Sequence, residues 1–311
     1  MSCLGATLAF AAGGAAAQPR LTAQAGPTVA ESGSAFYRFK RQTVDSEDGK
    51  RHYDVVVGVP VRRSPPHGFA AVYMLDGGAA IETLDEDLLG RLDASDDPPV
   101  LVAIGYVGQP RFDVIARAYD DTPPDPATPG AVDDQGRPGG GAAGFLRMIE
   151  TRIKPLVARQ ANIDPRRQTL WGHSYGGLFV LYAASRYDPG FRFFSSADPA
   201  LWWNYGSGLR AVEAFAAKRP KWPRTFSIMV GTNEMASRPG KPARLNSMRA
   251  SVPPDAAREL ARQLNGAGYS VRFLQCPGAD HGDMFRISLI RTLLDVARAP
   301  AGSSPSCKVP S

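Results

Sequence analysis

The sequence of 311 residues predicts an α/β fold, in which a mostly parallel central sheet carries helices on both faces and begins with an antiparallel hairpin. Three observations predict this fold. The short apolar runs 69–75 and 99–106 are typical of strands that are buried on both faces of a sheet. After residue 168, strand patterns alternate with helical patterns, which favours parallel pairing with helical crossovers. Near the start, two segments of alternating apolar residues flank a turn that contains Gly49, and they predict the hairpin.

The individual elements are assigned from apolar periodicity and from the turn residues between the runs. The expected strands are 36–44, 52–61, 69–75, 99–106, 168–172, 192–196, 225–230 and 269–274. The expected helices are 80–92, 145–156 with a kink at Pro155, 175–186, 208–217, 255–264 and 285–296. Asp255 is expected to cap its helix and Gly266 to follow the end of that helix. Residues 120–141 are rich in Pro, Gly and Asp and lack periodicity, which indicates a long loop that is either functional or disordered.

One catalytic domain is expected over residues 35–299, because a chain of this length can bury one sizeable core. A linker at 18–34 precedes this domain, and a tail at 300–311 follows it. Residues 1–17 lack charged side chains and end in small residues, as an export signal with its cleavage site does. We therefore expect a periplasmic or secreted protein, with an Ala-rich tail as the alternative because the basic start of a signal is missing. No apolar stretch reaches the roughly 18 residues that a membrane span needs.

Cysteine usage is compatible with export. Removal of a signal peptide would take away Cys3 and leave Cys276 and Cys307. In an oxidising compartment these two residues can form a disulfide that ties the tail to the domain. Two unpaired thiols are the alternative.

The net charge of +6 indicates no particular partner. The Lys and Arg residues are scattered and form no block of five, so we expect no nucleic-acid binding. An anionic small molecule and a basic surface without function fit this charge equally well. No His/Cys cluster has the spacing of a metal site, and neither a GxGxxG motif nor a phosphate-binding loop occurs. We therefore expect neither a metal nor a cofactor.

The pentapeptide GHSYG at 172–176 fits the pattern G-x-S-x-G. It lies between a predicted strand and a predicted helix, which is the context of a nucleophile elbow, a strained turn that presents a serine at the edge of a sheet. The dipole of the following helix places positive charge where an oxyanion would form. Ser174 is therefore the candidate nucleophile, and a chance match in a Gly-rich chain is the alternative.

A serine hydroxyl needs a general base, and the chain has only four histidines. His52 falls in the hairpin and His67 in a loop. His173 lies inside the elbow, where its side chain is expected to point away from the serine. His281 follows the last predicted strand and is the only histidine that fits the chain order nucleophile, acid, base. It is the candidate base, with an incidental loop histidine as the alternative.

Several carboxylates are candidates for the acid that orients the base. Glu234, after the strand at 225–230, is the first choice, and Asp198, after the preceding strand, is the second. Asp280 and Asp283 flank the histidine and are too close to it in sequence to reach its far ring nitrogen. A Ser–His pair without a direct acid remains open.

An oxyanion hole would use two backbone N–H groups. One belongs to Tyr175, the residue after the nucleophile, and the other to Gly77 or Gly78, after the first buried strand. Glycine at that place lets the backbone approach a substrate closely, and an ordinary turn is the alternative.

Three further residues are candidates for substrate binding. Arg117 comes shortly after the second buried strand and suits an anionic ligand, whereas a surface ion pair is the alternative. Trp202 and Trp203 follow the strand at 192–196 and can stack on an aromatic group, although tryptophan pairs also pack in cores.

Several segments together resemble the putative-esterase branch of the α/β hydrolases, over about residues 35–297. Within that branch they are most similar to the periplasmic esterases that open the trilactone of enterobactin- and salmochelin-type siderophores. The matching segments are YMLDGG at 73–78, VAIGY at 102–106, RAYDDTPP at 117–124, FLRMIETRIKP at 145–155, GHSYGGLFVLYA at 172–183, PALWW at 199–203 and ADHGDM at 279–284.

The resemblance implies an α/β-hydrolase fold and hydrolysis of ester bonds in a cyclic or linear triester of catechol-acyl serine. It implies the role of nucleophile for Ser174, the role of base for His281, and contact between Arg117 and an anionic catecholate. A ferric catecholate is aromatic and strongly anionic, which is compatible with the positive net charge. The loop at 120–141 is expanded in Pro and Gly, so the resemblance leaves the substrate itself open.

Two other functions compete with a small-molecule siderophore ester as substrate. The first is a general carboxylesterase, or a feruloyl or acetyl esterase, on the same scaffold. The second is a binding or adhesion module on a hydrolase fold that has lost its activity. Such modules usually lose the serine or the histidine, and this chain retains Ser174 and His281. The sequence leaves the oligomeric state open.

Overall fold

The central sheet has eight strands within the part of the chain that the structure describes. The structure is a computed structural model that describes residues 26–109, 111–186, 190–217, 223–233 and 247–298. The strands are β1 Tyr37–Asp45, β2 His52–Pro60, β3 Phe69–Met74, β4 Val100–Tyr106, β5 Ile163–His173, β6 Phe193–Ala197, β7 Thr225–Gly231 and β8 Ser270–Cys276. The helices are α1 Val29–Ser32, α2 Gly77–Thr83, α3 Glu86–Asp93, α4 Ala116–Asp120, α5 Ala142–Met148, α6 Lys154–Ala158, α7 Tyr175–Arg186, α8 Trp203–Ala216, α9 Ala256–Gly266 and α10 Asp283–Val296.

The strand order in this sheet is β1-β2-β4-β3-β5-β6-β7-β8. The hairpin β1–β2 and the pair β2–β4 are antiparallel, whereas the neighbours from β4 through β3 to β8 are parallel. The mostly parallel sheet and the amino-terminal hairpin that the sequence predicts are therefore confirmed. Since β5, β6, β7 and β8 are parallel neighbours, the loops that leave their carboxyl ends meet at one edge of the sheet.

The central strands β3 and β4 are buried on both faces, as their continuous apolar runs predict. Successive side chains of a strand point to opposite faces, and β3 shows this clearly. Ala71 and Tyr73 pack in the core that α5 to α9 cover, whereas Val72 and Met74 pack in the core under α2, α3 and α10. The apolar runs are thus explained by two cores, one on each face.

Two expected helices are divided in the structure. The helix expected at 80–92 is two helices, because Asp85 caps the second one by accepting a hydrogen bond from the N–H of Leu88 at 2.8 Å. The helix around Pro155 is interrupted by a π-helical turn, Ile149–Ile153, directly before α6. Proline has no N–H for the carbonyl four residues before it, and the wider turn directly before Pro155 accommodates that missing bond.

Helix ends differ most from the sequence expectations. Asp255 precedes α9 but forms no side-chain cap, and Gly266 is the last residue of that helix rather than the residue after it. Helix α8 spans Trp203–Ala216, but Asn204, Tyr205 and Gly206 have positive φ values that form a turn near its start, so the regular helix begins after Gly206, close to the expected residue 208. Local pattern cannot anticipate this turn, since only glycine adopts that conformation routinely.

Several expectations concern residues beyond the described ranges. The signal at 1–17, the first part of the linker and the tail at 300–311 stay predictions, and one helical turn, α1, lies in the second part of the expected linker. Cys276, at the end of β8, is disulfide-bonded, and Cys307 lies outside the described residues. No helix in the described part of the chain is long and apolar enough to cross a membrane.

Candidate active site

The candidate nucleophile lies on a strained turn between β5 and α7. Ser174 has a φ of 61°, a left-handed conformation that costs a non-glycine residue on the order of 1–3 kcal/mol. Its N–H donates to the carbonyl of Ala197 at 2.9 Å, and its own carbonyl accepts from the N–H of Ala200 at 3.0 Å. A Cβ at Gly172 would lie 2.4 Å from the carbonyl oxygen of Gly176, so the turn requires glycine there. The sequence motif thus folds as the elbow that its pattern predicts.

The structure brings Ser174 and His281 together. The Oγ of Ser174 lies 3.1 Å from Nε2 of His281, and Nδ1 of the same ring lies 3.3 Å from Oδ2 of Asp198. With the proton on Nδ1, the imidazole donates to the carboxylate and Nε2 accepts from the serine hydroxyl. We refer to Ser174, His281 and Asp198 together as the catalytic row. Their arrangement has the geometry that general-base activation of a serine needs.

Asp198 is held in place by strand β7. Its φ is 38°, its N–H donates to the carbonyl of Met229 at 2.8 Å, and its Oδ1 accepts from the N–H of Gly231 at 3.0 Å. These bonds leave Oδ2 directed at the histidine. The sequence ranks Asp198 second, behind Glu234, and Glu234 lies outside the described residues.

His173 forms a hydrogen bond to the backbone of His281, the candidate base. The sequence does not suggest this contact. Its Nε2 donates to the carbonyl of His281 at 2.7 Å, and the centroids of the two rings are 4.5 Å apart. Burial, helped by the nearby His281 and Arg117, holds the pKa of His173 well below its usual value. The ring is therefore neutral, and the bond to a carbonyl requires its proton on Nε2.

The aspartates that flank the base shape its loop. Oδ1 of Asp280 accepts from the N–H groups of Gly282 at 2.7 Å and Asp283 at 2.9 Å, and Oδ2 of Asp283 accepts from the N–H of Asp280 at 3.0 Å. This reciprocal arrangement caps the start of α10. It agrees with the argument from sequence spacing that neither aspartate is the acid.

Tyr175 is the first residue of α7, where backbone N–H groups have no partner within the helix. Its N–H therefore stays the predicted oxyanion donor.

Gly77 begins α2 and packs against β4, since a Cβ there would lie 2.5 Å from the backbone nitrogen of Gly105. Gly77 and Gly78 line a cavity of about 480 Å³ that differs from the cavity next to His281. Their close backbone contact is with β4, and their part in an oxyanion hole stays a prediction.

Arg117 is bound by protein groups rather than open to a ligand. Its Nε donates to Oδ1 of Asp76 at 2.7 Å, and its Nη2 donates to Oδ2 of the same carboxylate at 2.9 Å and to the carbonyl of His173 at 3.4 Å. Burial alone would lower the pKa of Arg117, but the charge and hydrogen bonds of Asp76 outweigh it and raise that pKa. The side chain is 13% exposed and braces the elbow, so the expected contact with a substrate has no support in this geometry.

Trp202 and Trp203 lie in different environments. Trp203 is fully buried in the core, which corrects the expectation that it stacks on a substrate. Trp202 is half-buried and lines a cleft of about 810 Å³, together with Asp198 and His281. Arg249 lines the same cleft, with its guanidinium 4.6 Å above the ring of Trp202. Arg249 was not predicted from the sequence, because it lies in no motif and its position is set by tertiary packing.

The side chains of His173, Asp198 and His281 also satisfy the distances of a metal site, since their ligand atoms lie within 4.8 Å of one another. Each of these atoms already has a partner. His173 donates to a carbonyl, and His281 bridges Ser174 and Asp198. We therefore interpret the cluster as a chain of hydrogen bonds rather than as a metal centre.

A family model described as Putative esterase matches residues 46–295, which is most of the chain. The chain belongs to this family. The esterase is 36% identical over 291 residues to an apo-salmochelin esterase of Escherichia coli O6:H1, strain CFT073, an alignment that covers 91% of the esterase and 86% of that relative. It is 30% identical over 260 residues to the ferri-bacillibactin esterase BesA of Bacillus subtilis, strain 168, with 80% and 86% covered.

A solved structure of the enterobactin hydrolase IroE in complex with DFP shares the fold. It is 36% identical to the esterase, has a TM-score of 0.71, and is aligned over 87% of the esterase and 99% of its own chain. The α/β-hydrolase fold and the relation to siderophore esterases that the sequence predicts are confirmed. The protein is a serine ester hydrolase.

Proposed function

We propose that the esterase hydrolyses the ester bonds of a catecholate siderophore trilactone of the ferric enterobactin type and thereby aids iron release. The observation that carries this proposal is the catalytic row beside a cleft of about 810 Å³. That volume lies in the upper part of the range of small-molecule sites. The relatives whose names describe them as esterases or hydrolases of salmochelin, bacillibactin and enterobactin support this class of substrate.

The first half of the reaction forms an acyl-enzyme. Oγ of Ser174 attacks the ester carbonyl while Nε2 of His281 takes its proton, and Asp198 accepts a hydrogen bond from Nδ1 and stabilises the imidazolium. The N–H of Tyr175 donates to the oxyanion of the tetrahedral intermediate. Collapse of this intermediate breaks the ester bond, and the proton on His281 passes to the leaving alkoxide.

The second half uses water. His281 removes a proton from a water molecule, which attacks the acyl carbon, and the second tetrahedral intermediate collapses with return of that proton to the serine oxygen. One ester and one water molecule become one alcohol and one carboxylic acid. Repetition on a trilactone yields a linear trimer first, then a dimer and a monomer.

A general carboxylesterase, or a feruloyl or acetyl esterase, is the second candidate. One observation favours it. Arg117, which the resemblance assigns to an anionic catecholate, is held by Asp76 instead. A neutral ester needs no such arginine, and the catalytic row serves any ester that fits the cleft.

The deciding experiment incubates the purified esterase with apo and ferric enterobactin and follows the linear trimer, dimer and monomer by mass spectrometry. Ser174→Ala is the matched control, because it removes only the nucleophilic oxygen. We expect products from wild type and a loss of at least about 10³-fold in rate for the variant. Activity on simple aryl esters without cleavage of the trilactone would favour the second candidate, and a fully active variant would exclude Ser174 as the nucleophile.

We also propose that the esterase is exported, with residues 1–17 removed. The apolar run at 4–12, the small residues that follow it and the disulfide at Cys276 support export to an oxidising compartment. Expression of the full chain in a Gram-negative host should give a periplasmic protein whose intact mass corresponds to cleavage near residue 17. A cytoplasmic protein of unprocessed mass would contradict export.

A further inference from the structure

We propose that Arg249 and Trp202 form a subsite that binds a planar anionic ring of the ester substrate. This inference rests on the proposed function, because it takes that ring to be part of the acyl group. Both side chains line the cleft that also includes Asp198 and His281. The subsite therefore lies in the same cavity as Asp198 and His281.

Arg249 has a hydrogen-bond donor with no partner in the part of the chain that the structure describes. Its Nε is buried and has no hydrogen-bond partner among the described residues. Within the same part of the chain no carboxylate lies within 4.0 Å of its guanidinium, although Asp134 and Asp198 are near enough to act on it electrostatically. Arg258, on the rim of the same cleft, differs because it donates to Oε1 of Gln275.

A buried cation without a counter-ion is costly, and an anionic ligand would remove that cost. Burial lowers the pKa of Arg249, and the charges of Asp134 and Asp198 offset only part of this effect. The guanidinium stays protonated because the pKa of arginine starts so high. Its charge is therefore available to an anion that enters the cleft, and the interaction is strengthened by the partial exclusion of water.

Trp202 fixes the orientation of the arginine. The guanidinium lies 4.6 Å above the indole ring, which is the distance of a cation–π contact. The other neighbour of Trp202 is the ring of Tyr175, with centroids 5.8 Å apart. Since Tyr175 follows the nucleophile directly, this stack connects the subsite to the elbow. An aromatic acid bound there would find a flat apolar surface and a positively charged edge together.

The test compares two esters that differ in a single group. The 4-nitrophenyl ester of 4-methylbenzoic acid is neutral, and the mono-4-nitrophenyl ester of terephthalic acid carries a carboxylate in place of the methyl group. The readout is the ratio of kcat/KM for the anionic ester to kcat/KM for the neutral ester. A ratio is insensitive to the fraction of folded enzyme, so a partly unfolded variant still gives a valid result.

We expect Arg249→Met to lower this ratio about tenfold to a hundredfold, as the loss of a charged hydrogen bond does. Arg249→Lys should give an intermediate ratio, because it keeps the charge but loses the planar stack. Arg262→Gln is the matched control. It removes one positive charge from an exposed pair with Glu259 on α9, and its ratio should equal that of wild type.

An unchanged ratio in Arg249→Met, or an equal fall in Arg262→Gln, would overturn the subsite. The outcome is separate from that of the proposed function. If Arg249→Met lowers the ratio while wild type leaves enterobactin intact, the subsite stands and the siderophore is the wrong substrate. If wild type cleaves enterobactin while the ratio stays constant, the proposed function stands and the subsite does not.

Discussion

Asp198 lies directly after β6 in a left-handed conformation, with a φ of 38°. This conformation turns the side chain across the end of the sheet, where β7 fixes one carboxylate oxygen and the base occupies the other. In the proposed mechanism, the resulting hydrogen bond holds the imidazole in one tautomer and stabilises its charged form during proton transfer. A backbone conformation that is unfavourable for one residue thus places Asp198, the candidate acid, next to His281.

Asp198→Asn should lower kcat by about 10²- to 10⁴-fold, because the amide neither fixes the tautomer nor stabilises the imidazolium. Glu234→Gln is the paired variant, and its kcat should stay near that of wild type. Steady-state kinetics on a 4-nitrophenyl ester measure both. A large loss in Glu234→Gln with an active Asp198→Asn would restore Glu234 as the acid.

The sequence predicted the residues of the catalytic row unequally, for physical reasons. Ser174 and His281 were accessible because a strand–turn–helix motif and a fixed chain order identify them. The acid was ambiguous, since carboxylates follow both β6 and β7, and the sequence alone does not show which one reaches the histidine. The ion pair between Arg117 and Asp76 could not be predicted, because the two residues are distant in sequence and meet only when β3 and α4 pack together.

At the scale of elements, the loop between β8 and α10 is held at both ends. His173 donates to the carbonyl of His281 from β5, and the N–H of Asn233 donates to the carbonyl of Ala279 at 3.1 Å. The reciprocal cap formed by Asp280 and Asp283 fixes the rest of the loop. The candidate base is therefore positioned by a contact from β5, by a contact from the segment after β7 and by the cap at the start of α10.

His173→Phe should lower kcat about tenfold with little change in KM, since it removes one hydrogen bond that positions the base and leaves the cleft intact. His173→Gln should recover most of the loss, because its side-chain amide can donate to the same carbonyl. Kinetics on a neutral aryl ester give the split between kcat and KM. Equal losses in both variants would show that the imidazole ring, and not its hydrogen bond, is what matters.

At the scale of the whole molecule, a partly buried ion pair connects the hairpin β1–β2 to α4. It is formed by Arg51 and Asp120. The carboxylate of Asp120 lies 3.0 Å from Nε of Arg51 and accepts hydrogen bonds from Tyr53 at 2.8 Å and Tyr106 at 3.1 Å. Burial raises the pKa of Asp120 to about 6, although Arg51 and the tyrosines offset part of this effect. The next residue, Asp121, is buried as well, so the ionised cluster is costly to the folded state.

This cluster predicts a pH dependence of stability. In the unfolded chain the pKa of an aspartate is about 3.9, so the folded state binds the proton on Asp120 more tightly. The contribution of Asp120 to stability is therefore greatest below about pH 4 and is lost as the pH rises toward 6. The variant Asp120→Asn has no titrating group at this position, so it does not lose this stability as the pH rises.

We expect the difference in unfolding free energy, variant minus wild type, to shift in favour of the variant by on the order of 2 kcal/mol between pH 4 and pH 7. Urea unfolding at the two pH values measures it. Asp48→Asn, an exposed position near the same arginine, is the control and should show little shift. A difference that does not change with pH would mean that Asp120 titrates as in the unfolded chain.

The segment 247–258 supplies Arg249 and one rim of the cleft. Within the described part of the chain, none of its hydrogen bonds reaches Ser174, Asp198 or His281. Ester selectivity can therefore drift during evolution by substitution in this segment alone, while the machinery of hydrolysis is inherited unchanged. We therefore expect orthologues to differ in the esters that they select before they differ in the residues of the catalytic row.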